Sequence, residues 1–173
     1  RTSDGKLRLG KEDLRSDGFD RLEFLISPNA GQELRSLAKT ASGGEISRVM
    51  LAFKTILGEK DHIGVMIFDE IDTGISGKMA QVVAEKLCHT AKGKQVICVT
   101  HLPQISAMAD RHFNVSKRTE AGHTATRVTV LDEEGSACEI SRMVSGAADT
   151  GTSILHAKAM IESAKAYKDA MKG

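Results

Sequence analysis

Residues Val65–Gly74 read VMIFDEIDTG: four apolar residues, two adjacent carboxylates, then a second aspartate and a glycine. With Ile63 and Gly64 in front, IGVMIF is a continuous apolar run, the pattern of a strand buried on both faces. Such strands belong to parallel sheets, and open α/β sheets bind ligands beyond the carboxyl ends of their strands. Asp69 and Glu70 stand at that end. Asp69 suits a magnesium ion held through water, and Glu70 suits orienting and deprotonating an attacking water. The same pair also suits the start of a solvated loop, and this stretch alone does not choose between them.

Moving outward, TASGGEIS (Thr40–Ser47) is a Ser-Gly-Gly turn that opens a helix, followed by Ile46, Val49, Met50, Phe53 and Ile56–Leu57 at a 3.6-residue period. The glycines let backbone N–H groups approach a ligand, and the helix dipole favours an anion there. Ser42 equally suits an N-cap with Glu45 as its capping-box partner. Downstream, GKMAQVVAEKLCHTAKG reads as a helix stopped by Gly93, and QVICVT as a second buried strand. His101, just past that strand, suits a hydrogen bond to a terminal phosphate oxygen, or merely the capping of a loop. Asp72 suits the start of the helix that follows near Ser76.

The rest of the chain is read more coarsely. Residues 1–18 form a polar, loosely held lead-in, and RLEFLIS (Arg21–Ser27) a strand before a turn at Pro28–Gly31. PQISAMAD reads as a short helix with Pro103 at its start. HFNVSKR and TATRVTVL are two strands forming a hairpin around Ala121-Gly122, and ACEISRMVSG and GTSILHAKAMIESAKAYKDAM are closing helices. Strand and helix alternate around two apolar strands, which predicts an α/β fold with a mainly parallel sheet flanked by helices.

The 173 residues with a net charge of +1 describe one ordinary domain whose charge neither advertises nor excludes nucleic acid. Lys117, Arg118 and Arg127 in SKRTEAGHTATR read as a solvated face before they read as a DNA contact. No apolar run approaches the roughly 20 residues of a membrane span. Three cysteines, Cys88, Cys98 and Cys138, stand far apart among apolar residues and read as thiols of a reducing compartment. A zinc site built from these and the six histidines has no ligand spacing behind it. The chain opens on Arg1, as expected of an excised piece or a processed product.

Together and in this order, four features resemble the second half of an ABC-type ATPase head, a P-loop NTPase fold. ASGGE corresponds to the signature, VMIFDE to the Walker B strand, IDTGIS to the D-loop and VTHLPQI to the H-loop. The wording is closer still to the RecN family of bacterial DNA-repair proteins, relatives of the SMC proteins. EFLISPNAGQELRSLAKTASGGEISRVMLAFK, FDEIDTGISG, VTHLPQISAMAD and the ending EISRMVSG…SILHAKAMI carry that likeness across about residues 19–165. Residues 19–173 are therefore expected to form the C-terminal lobe of such a head.

The resemblance implies roles. Asp69 would help bind Mg2+, Glu70 would be the catalytic base, and His101 would contact the γ-phosphate of ATP. Ser42, Gly43, Gly44 and Glu45 would form the nucleotide-binding signature, meeting a nucleotide held by the other head of a homodimer. Asp72 would lie at the head–head interface and couple the two sites, and Arg48 would be a candidate interface contact or a surface salt-bridge partner. DNA and the N-terminal lobe of the same protein would be partners, in the bacterial cytoplasm at the nucleoid, without a membrane. No GxxxxGK[ST] loop occurs in the sequence; Gly74–Met79 is too short a spacing and lacks the Ser/Thr. The expectation is a head half that lacks its phosphate cradle and is idle alone. The alternatives are a non-catalytic lobe acting in trans, or another SMC- or ABC-class ATPase such as a transporter subunit.

Overall fold

A computed structural model of the chain describes residues 8–9, 12–13, 18, 23–27, 31, 33–40, 42–57, 62–120, 123–146 and 151–171. Two compact units divide it, Arg1–Ala41 and Ser42–Gly173. In the first unit β1 (Arg8–Leu9) pairs antiparallel with β2 (Glu12–Asp13), and β3 (Leu25–Ile26) with β4 (Arg35–Ser36). A short helix, α1 (Leu37–Thr40), follows, its first N–H donating to the Phe24 carbonyl at 2.9 Å. The strand expected over Arg21–Ser27 is reduced to β3, with Glu23, Phe24 and Ser27 outside it; Arg21, Leu22 and the turn at Pro28–Ala30 lie outside the described residues.

The second unit begins with α2 (Gly43–Leu57) and continues through β5 (Val65–Phe68), α3 (Gly77–Thr90) and β6 (Gln95–Cys98). Strands β5 and β6 pair in parallel, in register from Val65 opposite Gln95 to Phe68 opposite Cys98. Parallel neighbours need a crossover, and α3 supplies it. Ser76 takes the N-cap position, not Asp72, and Gly93 at φ 72° turns the chain out of the helix as expected. Pro103 opens α4 (Pro103–Ala107). Then come β7 (His112–Glu120) and β8 (His123–Leu131), an antiparallel hairpin whose connecting Ala121-Gly122 lie outside the described residues. The last helices are α5 (Glu133–Ser145) and α6 (Gly151–Ala170). Asp132 caps α5 by accepting from the Gly135 N–H at 2.7 Å, and Gly146 ends it at φ 65°.

The core lies on one side of the parallel pair. Met66 and Phe68 are buried against Leu51 of α2, Val83, Ala84 and Leu87 of α3, Ile105 of α4 and Ala164 of α6. A second cluster joins Ala107, Ile140 and Ala157, beside a buried Ser141–Ser153 hydroxyl bond of 2.8 Å between α5 and α6. Helix α6 thus contributes to both clusters. Its Lys168 ammonium also donates to Asp110 Oδ1 at 2.8 Å and to the carbonyls of Met108 and Ala109.

Burial on both faces of the apolar strands is not what the structure shows. Val65 and Ile67 are 50% and 69% exposed, and Ile97 and Val99 beside them are open as well. Among the described residues, helices cover only the Met66/Phe68 side. The stripe that marked α2 in the sequence is open too: Ile46, Met50, Phe53, Ile56 and Leu57 are all exposed, while Gly44 and Leu51 turn inward. The three cysteines are free and half-buried, and burial pushes the Cys98 thiol up to about 12.

Candidate functional site at the edge of the parallel pair

Because β5 and β6 run in parallel and in register, the residues that leave them emerge at one edge. Asp69, Glu70, Thr100 and His101 follow the paired Phe68 and Cys98, where the Val99 N–H still donates to the Phe68 carbonyl at 2.9 Å. Asp69 and Glu70 are both exposed. The Asp69 side chain accepts from the Glu70 N–H at 2.9 Å, and Glu70 adopts φ 57°, the one described residue other than glycine in the left-handed region. That conformation costs a non-glycine residue about 1–2 kcal/mol and concentrates at functional sites. It opens a tight turn closed by Thr73 N–H donating to the Glu70 carbonyl at 3.0 Å.

Asp72 sits within that turn and is 3% exposed. Its Oδ2 accepts from the Thr100 hydroxyl at 2.6 Å and from the His101 N–H at 2.9 Å, and lies 3.0 Å from His101 Nδ1. Burial works against ionisation, but the bonds from Thr100 and His101 outweigh it and hold the carboxyl below the usual aspartate range. The imidazole stands beside this carboxylate on a side chain 73% exposed. Asp72 therefore joins the turn after β5 to the loop after β6. Thr100 escaped the sequence reading, although a hydroxyl beside a histidine at a strand end was its signal.

At the start of α2 the Ser42 N–H and hydroxyl both donate to Glu45 Oε2, at 2.8 and 3.1 Å, and the Glu45 N–H approaches the Ser42 hydroxyl at 3.4 Å. This is the capping box, and the Ser42 N–H, then its hydroxyl, lowers the Glu45 pKa. Gly43 and Gly44 lie against the acidic turn. A Cβ on Gly43 would meet Glu70 Oε2 at 2.7 Å, and one on Gly44 would meet the Glu70 carbonyl at 2.8 Å. Further along, the Ser47 hydroxyl donates to the Asp69 carbonyl at 3.1 Å. Arg48 Nη1 donates to the carbonyls of Ile71 and Thr73 at 3.1 and 2.8 Å, so among the described residues its hydrogen bonds go to backbone. Gly44, Ser47, Arg48 and Leu51 recur at i, i+3, i+4 and i+7, one face of the helix. Apolar periodicity drew attention to the opposite face, so Ser47 was missed.

The oxygen donors fit the hard, largely hydrated Mg2+ ion, which takes one or two protein carboxylates and completes its shell with water and phosphate. Asp69, exposed with its Oδ1 already oriented by the backbone, is such a donor. Among the described residues no group of three or more His, Cys, Asp or Glu side chains converges as a metal site. Lys117, Arg118 and Arg127 are exposed on the β7–β8 hairpin, with Arg118 and Arg127 on the face opposite Lys117. No helix among the described residues is long and apolar enough to cross a membrane.

No protein-family model matches the chain. A solved Smc head domain with a coiled coil and joint, derived from Pyrococcus yayanosii, superposes with a TM-score of 0.55 at 27% identity, covering 72% of this chain and 22% of that one. The second unit's α/β arrangement is thus similar to that of an SMC head domain. Proteins described as DNA repair protein RecN are similar in sequence over most of the chain. The one from Halalkalibacterium halodurans is 46% identical over 159 residues, 92% of this chain and 28% of its own length. That from Bacillus subtilis is 46% identical over 155 residues, 90% and 27% respectively, and that from Treponema pallidum 49% over 144 residues, 83% and 25%. Across what it spans, the chain belongs to the RecN family, and it spans about a quarter of the length of these relatives.

Proposed function

We propose that residues 42–173 are the part of a RecN-type head that supplies the signature, the catalytic base and the phosphate-contacting histidine to ATP hydrolysis in recombinational repair of DNA double-strand breaks. The observation that carries this reading is the parallel register of β5 and β6, which delivers Asp69-Glu70 and His101 to one edge, with Asp72 joining the loops that bear them. Glu70 takes the proton of the attacking water, its exposed carboxylate free of any ion pair among the described residues. His101, oriented through Nδ1 by Asp72, presents Nε2 to the terminal phosphate. Asp69 holds Mg2+, which when bound offsets the charge of the phosphates. Ser42-Gly43-Gly44 and Glu45 open α2, whose positive end favours an anion, and meet the nucleotide of a second head. The phosphate cradle belongs to the N-terminal lobe of the same protein, DNA is the further partner, and the site of action is the bacterial nucleoid. The relatives' name and the Smc head superposition support this reading.

Two experiments test it. In a head that joins these residues to a lobe carrying a P-loop, Glu70→Gln is expected to slow ATP hydrolysis by about 10²–10⁴-fold while nucleotide binding persists; assays with and without DNA show whether DNA sets the rate. An unchanged rate makes this a non-catalytic lobe acting in trans. The 173 residues alone should show no tight binding of Mg-ATP by calorimetry, and a Kd below about 10 µM would place the cradle within them.

A further inference from the structure

The bonds from α2 to the acidic turn have a use that capping does not explain. Arg48 places a single nitrogen, Nη1, on the carbonyls of Ile71 and Thr73, the residues on either side of Asp72. The Ile71 carbonyl belongs to the peptide plane that enters Asp72, and the Thr73 carbonyl to the plane just beyond Thr73, so holding both pins the short stretch from which the Asp72 side chain leaves the backbone. That side chain is the one that holds Thr100 and His101. Upstream in the same turn, the Ser47 hydroxyl donates to the Asp69 carbonyl, and the Glu70 carbonyl lies 2.8 Å from where a Cβ on Gly44 would be. Glu70 is kept in a left-handed conformation that an unrestrained acidic residue would leave. Only a close approach of helix to turn lets a guanidinium reach both carbonyls, and glycine at position 44 permits that approach: a Cβ there would also stand 3.1 Å from Arg48 Nη1.

We infer that Arg48 is a positioning residue, a clasp through which α2 sets the geometry of the Glu70 turn and, by way of Asp72, the setting of His101. The inference rests on the reading of Glu70 and His101 given above. A charge-assisted bond to a carbonyl is stronger than a neutral one, and the planar fork of arginine holds direction where a lysine ammonium holds only distance. Displacement of the Ser42-Gly43-Gly44 end of α2 is thereby passed to the turn as a shift of its carbonyls. The helix that carries the signature and the residues that carry the chemistry move as one piece.

The test uses Arg48→Lys and Arg48→Met, each in two settings. In the 173-residue chain, hydrogen exchange at the amides of Thr73 and Ile75 should quicken about 10-fold in both variants, with β6 and α3 unchanged. In the head joined to its P-loop lobe, kcat should fall by about 10–100-fold for Arg48→Met and by less for Arg48→Lys. KM for ATP should stay within about two-fold, assayed well below either melting temperature. Unchanged exchange at Thr73 and Ile75 overturns the clasp, whatever the activity. Faster exchange with unchanged kcat overturns the positioning role and leaves only a structural tie. If the unsubstituted joined head hydrolyses no ATP, the proposed function fails, and the exchange measurement still decides whether Arg48 holds the turn.

Discussion

Glu70 is where conformation and chemistry pull against each other. Its left-handed backbone suits glycine, yet an acid stands there. Glu70→Gly should therefore be more stable than Glu70→Ala by about 1 kcal/mol, read from urea unfolding, since alanine keeps the Cβ clash that glycine lacks. Both lose the carboxylate, so any activity comparison between them isolates the backbone. Asp72 makes a prediction in pH. Its folded pKa lies below the ordinary value of 3.8, so its bonds contribute stability that is fully present above that value and is lost as pH falls through the folded one. Melting temperatures from about pH 2 to 7 should show a steeper acid loss for the unsubstituted chain than for Asp72→Asn, with the difference confined below about pH 4. Parallel curves would mean that Asp72 is not bonded as described. His101→Ala is the milder probe, since Thr100 and the backbone N–H still fill Asp72 Oδ2.

At the scale of elements, the start of α2 shows what the sequence could and could not disclose. Ser42 with Glu45 three residues on is a local pattern, readable without any tertiary knowledge, and the capping box is present. The glycines beside it are not explained by the helix at all; their reason is the turn packed over them, some 26 residues away in the chain. Gly44→Ala would improve helix propensity but push a Cβ onto the Glu70 carbonyl, at 2.8 Å, and onto Thr73. It should destabilise the chain by about 1–3 kcal/mol in urea unfolding. Gly151→Ala, where a Cβ meets nothing within 4 Å, should be neutral or stabilising. The helices and strands of the second unit were legible because apolar period and punctuation agree: Gly93, Pro103 and Gly146 stop or start elements where they should. Which face of an element turns inward was not legible. Apolar period counts hydrophobic residues, and in α2 the inward face is made of Gly44, Ser47, Arg48 and Leu51.

For the molecule as a whole, the apolar strand faces are the main departure from expectation. Val65, Ile67, Ile97 and Val99 form one open surface, and the hairpin adds Phe113, Val115, Val128 and Val130 on a single face. Sequence reads such residues as interior; whether they are covered depends on what packs against them. The 173 residues should self-associate, and Ile67→Thr with Ile97→Thr should shift sedimentation toward the monomer while changing stability by less than about 1 kcal/mol. An unchanged association state would say that these faces are not what sticks. The closing contacts of α6 bear on how the unit is made. Ala164 and Tyr167 complete the cluster around Met66 and Phe68, roughly a hundred residues upstream, and Lys168 fastens that end to Asp110. Such distant pairings are slow to form. During synthesis at about 5–20 residues per second, the Met66–Phe68 side must wait at least several seconds for α6 to leave the ribosome. Until then the Met66–Phe68 side is closed only by α2, α3 and α4, and the part that Ala164 and Tyr167 cover stays bare, so that interval is when this polypeptide most needs a chaperone.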